Sequence, residues 1–279
     1  MADSTERIDK ILSNNGYGTR KDVKKLLHSK SVTVNGNTVC DASFHVNSSC
    51  DEICVDGKPI IVRKFIYLMM NKCQNVVSAN KDGEHQTVFD LLSDEYRTGK
   101  TLETLHTVGR LDIDTEGLLL LTTDGSLTHS IISPKSNISK TYLVFLEKEM
   151  SVEAQKQCAL QFEKGIHIPA EDNDAEADCE SAIVEFLSAE KALQLAGKGA
   201  QVPQNSTVEN SAENFTGDFA LLTIHEGKYH QVKRMFRAVG NTVVYLKRMS
   251  IGSLKLDPAL QPGQYRELTD DEVRKVFVN

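Results

Sequence analysis

Residues 109–125, GRLDIDTEGLLLLTTDG, set Asp112, Asp114 and Glu116 directly against an unbroken apolar run. The run from Gly117 to Leu121 is too short to make a helix by itself and is bounded by Asp124-Gly125, so it reads as a buried strand entering a turn. The three acids then lie on a loop that abuts a core strand. Taken alone, Asp112, Asp114, Glu116 and Gly117 imitate the first, third, fifth and sixth positions of a calcium loop. The imitation fails at Thr123, where a bidentate Glu is required, and no helix pair flanks the segment, so no metal is expected. The other reading of the isolated loop is structural, with its acids capping backbone amides.

Outward from this strand, FIYLMMNK at 65–72 reads as a second strand. The rest of the chain mixes strands, helices and turns without a βαβ rhythm, which points to an α+β fold. At 279 residues there is room for two domains. A short linker near Val62 to Phe65 divides them, giving expected boundaries of 1–62 and 66–279. In the first part Ile8, Ile11 and Leu12 recur at helical spacing, and Gly16 and Gly18 stop that helix. Thr19 with Asp22 three residues on can cap a second helix whose inward stripe is Val23, Leu26 and Leu27. Lys21, Lys24, Lys25 and His28 fall together on one face of it. Asn35-Gly36 and Asp56-Gly57, each between β-prone runs, predict two hairpin turns.

A composition of 40% hydrophobic and 25% charged residues is that of a globular chain. No apolar run approaches the roughly 20 residues of a bilayer span, and Met1-Ala2-Asp3-Ser4 lacks a basic-then-apolar signal, so a cytoplasmic protein without membrane association is expected. The six cysteines show no CxxC pair and read as free thiols. A net charge of −7 is at first sight wrong for a phosphate-binding protein. The acids are segregated, however: from Ala170 to Asp218 eleven of them face only Lys191 and Lys198. From Glu226 to Arg248 one acid faces six bases, so a basic surface exists elsewhere. The acidic stretch near 170–217 reads as an insertion, and its part from Lys198 to Gly217, rich in Gly, Asn, Ser, Thr and Gln, as a mobile one.

Three separated phrases carry a family resemblance. GRLDIDTEGLLLLTTDG, SKTYLV at 139–144 and EGKYHQVKRMF at 226–236 resemble the three motifs of the RsuA-type pseudouridine synthases of small-subunit ribosomal RNA. The resemblance continues through residues 238–269. The opening RIDKILSNNGYGTRKDVKKLLHSKSVTVNG, at 7–36, resembles the S4-like RNA-binding domain. The resemblance implies a small S4-like domain followed by a catalytic domain built on a mixed, largely antiparallel sheet. It implies an isomerase that converts one uridine of small-subunit ribosomal RNA without a cofactor, as a monomer bound to that RNA or to an assembly intermediate. An RNA-binding assembly factor without turnover, or a synthase for a large-subunit uridine, are the alternatives.

By the same resemblance Asp112 is the catalytic carboxylate, Tyr142 lies against the reacting base, and Lys233 pairs with Asp112, with Arg234 as second choice. Arg110 is a wedge or phosphate clamp. Lys140, His230 and Arg234, together with Arg20, Lys21, Lys24 and Lys25 of the first domain, are candidates for RNA contact. The chemistry needs these types: an ionised carboxylate must reach the ribose or base as nucleophile or base, and a neighbouring cation keeps it ionised. The target must also leave its stack, for which an aromatic face is suited. One departure stands out. The family's Asn-Lys-Pro-x-Gly phrase is here Asn71-Lys72-Cys73-Gln74-Asn75, and losing the proline and glycine predicts a looser or differently bent loop.

Overall fold

The computed structural model describes residues 5–48, 50–60, 62, 65–97, 99–200 and 215–276. Two compact units emerge: Met1–Ile66 with Leu92–His106 and Thr122–Asp124, and Tyr67–Leu91 with Thr107–Leu121 and Gly125–Asn279.

In the first unit, helices Ile8–Asn14 and Arg20–His28 pack on a four-stranded antiparallel sheet in the order Asn37–Thr38, Val32–Val34, Ile53–Val55, Lys58–Pro59. The first helix begins at Ile8, the first residue of its apolar stripe, because Glu6–Arg7 pairs as a strand with His45–Val46. The second is closed by the expected capping box: Thr19 accepts from the Asp22 amide while the Asp22 carboxylate accepts from the Thr19 amide. Both hairpin turns form at the expected dipeptides, with Asn35 and Asp56 at φ +50° and +51°, followed by Gly36 and Gly57 at +78° and +75°. Ile8, Ile11, Leu12, Val23 and Leu27 meet Val32, Val34, Ile53 and Val55 in one apolar core.

The second unit is a mixed, largely antiparallel sheet in the order Ile183–Leu187, Phe219–Ile224, Lys140–Leu146, Val243–Ile251, Glu116–Thr122, Tyr67–Lys72, Tyr265–Glu267. Glu116–Thr122 is buried along its whole length, which explains a run of leucines without alternation. It pairs in parallel with Val243–Ile251, Glu116 opposite Lys247 and Gly117 opposite Arg248. Gly117, at φ +100°, is required there: a Cβ would lie 2.3 Å from the Arg248 carbonyl oxygen and 2.7 Å from its amide nitrogen. The residue that ends the acidic loop is thus the one that lets its strand approach the neighbouring backbone.

The acidic stretch near 170–217 departs from the expectation of an insertion. Ile183–Leu187 is an edge strand of the main sheet, and helix Ala189–Ala196 buries Ala192 and Ala196 beside Phe145, Phe219 and Tyr245. Glu185 and Glu190 lie on the exposed sides of that strand and helix, a pattern that composition alone hides. Most of the segment expected to be mobile, residues 201–214, lies outside the described residues.

Gly117→Ala is expected to destabilise the protein by at least about 2 kcal/mol, through forced left-handed backbone and the clash at Arg248. A lowered midpoint in thermal unfolding checks this.

Candidate active site

The loop 109–115 enters the strand Glu116–Thr122, and it is tied down from below by a lysine. Lys72, at the end of its strand and fully buried, points its ammonium at four backbone carbonyls: Asp112 at 2.9 Å, Thr115 at 2.9 Å, Cys73 at 3.0 Å and Ile113 at 3.3 Å. Burial pushes its pKa down to about 8, so it is still mostly charged at neutral pH. The Asn75 amide donates to the Ile113 carbonyl at 2.9 Å. Asn75 holds φ +62°, the left-handed conformation that the family's glycine would supply and that Asn tolerates. The loss of Pro and Gly therefore leaves an anchored loop, not a loose one.

Above this support stands the acid expected to react. The Asp112 carboxylate is 3.4 Å from Lys233 Nζ and 3.8 Å from His230 Nε2, and it remains about one-third exposed. Lys233 lies closer to the neighbouring acid, with Nζ at 2.7 and 2.8 Å from the two Asp114 oxygens. One ammonium therefore serves two carboxylates. Glu116 is set apart from them, buried in the strand and accepting from the Tyr245 hydroxyl at 2.8 Å.

Lys233 is presented by helix Gln231–Ala238, whose entry residue, His230, takes the left-handed φ +47°. The acidic stretch folds onto this turn. Glu171 meets His230 Nδ1 at 3.2 Å and Arg237 at 2.8 Å, while the Tyr229 hydroxyl donates to Asp172 at 2.9 Å. Burial raises the Glu171 carboxyl, but Arg237 and His230 outweigh it and hold its pKa below the ordinary value.

Asp112, Arg110, Tyr142, Lys140 and His230 line one cavity of about 410 Å³, with Lys233 at its Asp112 edge. Tyr142 is 9% exposed and Arg110 is exposed. Lys140 donates to the His225 carbonyl at 3.4 Å. Arg234 is placed otherwise than expected. Only 1% exposed, it spends its guanidinium on the carbonyls of Pro169, Tyr229 and Ala175, at 2.8, 3.1 and 2.6 Å. The physical reason is the helical period: Lys233 and its successor point about 100° apart, so one reaches Asp112 and the other the interior. In the first unit Arg20, Lys21, Lys24 and Lys25 are all exposed along their helix. Sequence reasoning did not find Lys72 or Glu171. For Lys72 the available signal was a lysine closing an apolar strand that had no exposed face.

Residues 66–238 match the RNA pseudouridylate synthase family. The chain belongs to that family. An uncharacterized RNA pseudouridine synthase of Bacillus subtilis is 41% identical over 96% of both chains. Proteins called ribosomal small subunit pseudouridine synthase A, from Vibrio cholerae and Escherichia coli, are 38% and 36% identical, each over 97% of this chain and 99% of the relative. A crystal structure of a pseudouridylate synthase, 33% identical, superposes with a TM-score of 0.57 over 97% of this chain and 99% of that one. This synthase is accordingly an isomerase of the RsuA type.

In this synthase Lys233→Met is expected to lower single-turnover pseudouridine formation by about 10²-fold or more, because Asp112 loses its counter-charge. Asp114→Asn breaks the shorter but more exposed contact and should stay within about fivefold of the parent rate. Equal losses in the two variants would show that Lys233 acts through Asp114.

Proposed function

We propose that the protein isomerises one uridine of small-subunit ribosomal RNA to pseudouridine, as a monomer in the cytoplasm, with Asp112 as the reacting carboxylate. The observation that carries this reading is the convergence of three motifs far apart in the chain. Asp112 and Tyr142 line one cavity, and Lys233 Nζ is 3.4 Å from the Asp112 carboxylate. A metal-binding or purely structural role for the loop would not bring an accessible acid, its counter-cation and an aromatic ring together.

In this reading the uridine leaves its helix and its ring rests against Tyr142. Asp112, kept ionised by Lys233, attacks the ribose or removes a ribose proton, and the ring then turns and rejoins through carbon 5. Arg110, exposed at the rim, fills the gap or holds a phosphate. The small-subunit assignment rests on the two named relatives, which share nearly the full length of the chain. The exposed Arg20, Lys21, Lys24 and Lys25 support an S4-like, RNA-gripping role for the first unit.

Incubation with small-subunit and large-subunit ribosomal RNA, followed by chemical mapping of pseudouridine at nucleotide resolution, tests the proposal. A single new site in small-subunit RNA is expected. Modification confined to large-subunit RNA would overturn the substrate assignment, and no modification in either RNA or in assembly particles would leave an RNA-binding factor.

A further inference from the structure

The cavity has a second charged half that the motifs do not account for. Arg248 lies on the Val243–Ile251 strand directly across from Tyr142, so both side chains face the cavity side of the sheet, and Arg248 is only 5% exposed. Among the described residues its guanidinium makes one hydrogen bond, from Nε to the Leu118 carbonyl at 2.8 Å. That bond fixes the group and leaves its terminal nitrogens unspent, with Nη2 buried and without any partner. The Thr115 hydroxyl, also buried and unpartnered, lines the same cavity. Native proteins rarely leave such donors unpaired, and an unpaired one in a cavity wall is a place for a ligand atom.

Lys140 stands on the same wall, its ammonium bonded only to the His225 carbonyl among the described residues. Among the described residues no carboxylate forms an ion pair with either cation. Burial, and then the charge of Arg248 itself, lower the Lys140 pKa. The carboxylates at the other side are already engaged: Asp112 with Lys233, and Glu226 with Lys228. Two cations without counter-ions deep beside Tyr142 ask for an anion that arrives with the substrate.

We infer that Arg248, assisted by Lys140, binds the uracil ring and takes up the negative charge that appears on it when the glycosidic bond breaks. This rests on the proposed function. Cleavage of the bond between ribose carbon 1′ and nitrogen 1 sends its electron pair to the ring, where it spreads over nitrogen 1 and the two carbonyl oxygens. The anion is the same whether Asp112 forms a bond to carbon 1′ or takes a ribose proton. After the ring turns, carbon 5 bonds to carbon 1′ as the Asp112–carbon 1′ bond breaks or, in the other route, as Asp112 returns the ribose proton; carbon 5 then gives up its proton, nitrogen 1 gains one, and the balance closes with no oxidant or reductant. The depth of Arg248 favours the ring over a backbone phosphate, since the phosphates stay at the rim of an extruded nucleotide. A donor fixed in advance, where charge develops, lowers a barrier without reorganising at the moment of reaction.

The test compares the parent protein with Arg248→Met and Lys140→Met on RNA carrying either uridine or 5-fluorouridine at the modified position. Loss of the parent nucleoside is followed in nuclease digests under single-turnover conditions. Fluorine withdraws electrons from the ring and stabilises its anion, so the protein's own contribution matters less. Arg248→Met is expected to slow uridine conversion by about 10²-fold, with RNA affinity changed less than about threefold. The defect should shrink by about tenfold or more on 5-fluorouridine, the fluorine replacing part of the lost stabilisation. Lys140→Met, at a less buried position, should show the same pattern with a smaller loss. Equal slowing on both substrates, an unchanged rate, or weakened RNA binding with a normal rate would each overturn the inference, the last pointing to a phosphate clamp. If Arg248→Met does not fold, the Lys140→Met ratio between substrates decides. A parent protein inert on every RNA would instead bring down the proposed function itself.

Discussion

The site depends on one buried ammonium. Lys72 has three protons to give and four carbonyls within reach, three of them from the loop that carries Asp112. Such a charge is costly to bury, and carbonyl oxygens converging on it offset the loss of water. In exchange the loop acquires a defined shape, and the carboxylate above it a fixed position. Gly117 completes the constraint from the other side by letting the loop's strand lie tight against Arg248. Positioning at this scale suits an isomerase, whose rate gains from orientation and prearranged charge.

The electrostatics of the cavity then divide into two halves. At the loop, Asp112 and Asp114 share Lys233, and His230 and Arg237 are held by Glu171. On the sheet wall, Lys140 and Arg248 have no acid in ion-pair contact among the described residues. A carboxylate beside its cation on one side and spare positive charge on the other suit the proposed reaction, in which a bond breaks between a sugar and a ring that leaves as an anion. The acidic stretch, which at first argued against RNA, contributes to this arrangement by fixing the turn that presents Lys233.

Much of this was legible in the sequence, for identifiable reasons. Hairpins at Asn35-Gly36 and Asp56-Gly57 and the cap at Thr19 follow from local backbone chemistry that tertiary context did not override. The buried strand at Leu118–Leu121 announced itself by having no polar face. Other features needed three dimensions. Arg234 follows Lys233 in a basic pair and looks equally available, yet the helix turns it into the core. Lys72 sits 40 residues from Asp112 and signals nothing locally about the carbonyls it meets. The stretch between 170 and 218 looks like an insertion because composition reports its many acids, such as the exposed Glu185 and Glu190, and not the apolar side that its edge strand and helix bury.

The central claim is that the Asp112 carboxylate, and no other acid in the loop, drives the isomerisation. Release of tritium from small-subunit ribosomal RNA labelled at carbon 5 of uridine measures it directly, in the parent protein and in Asp112→Asn. The account predicts about one tritium released per RNA by the parent and none by the variant, with RNA affinity retained. Release by Asp112→Asn at the parent rate would contradict it.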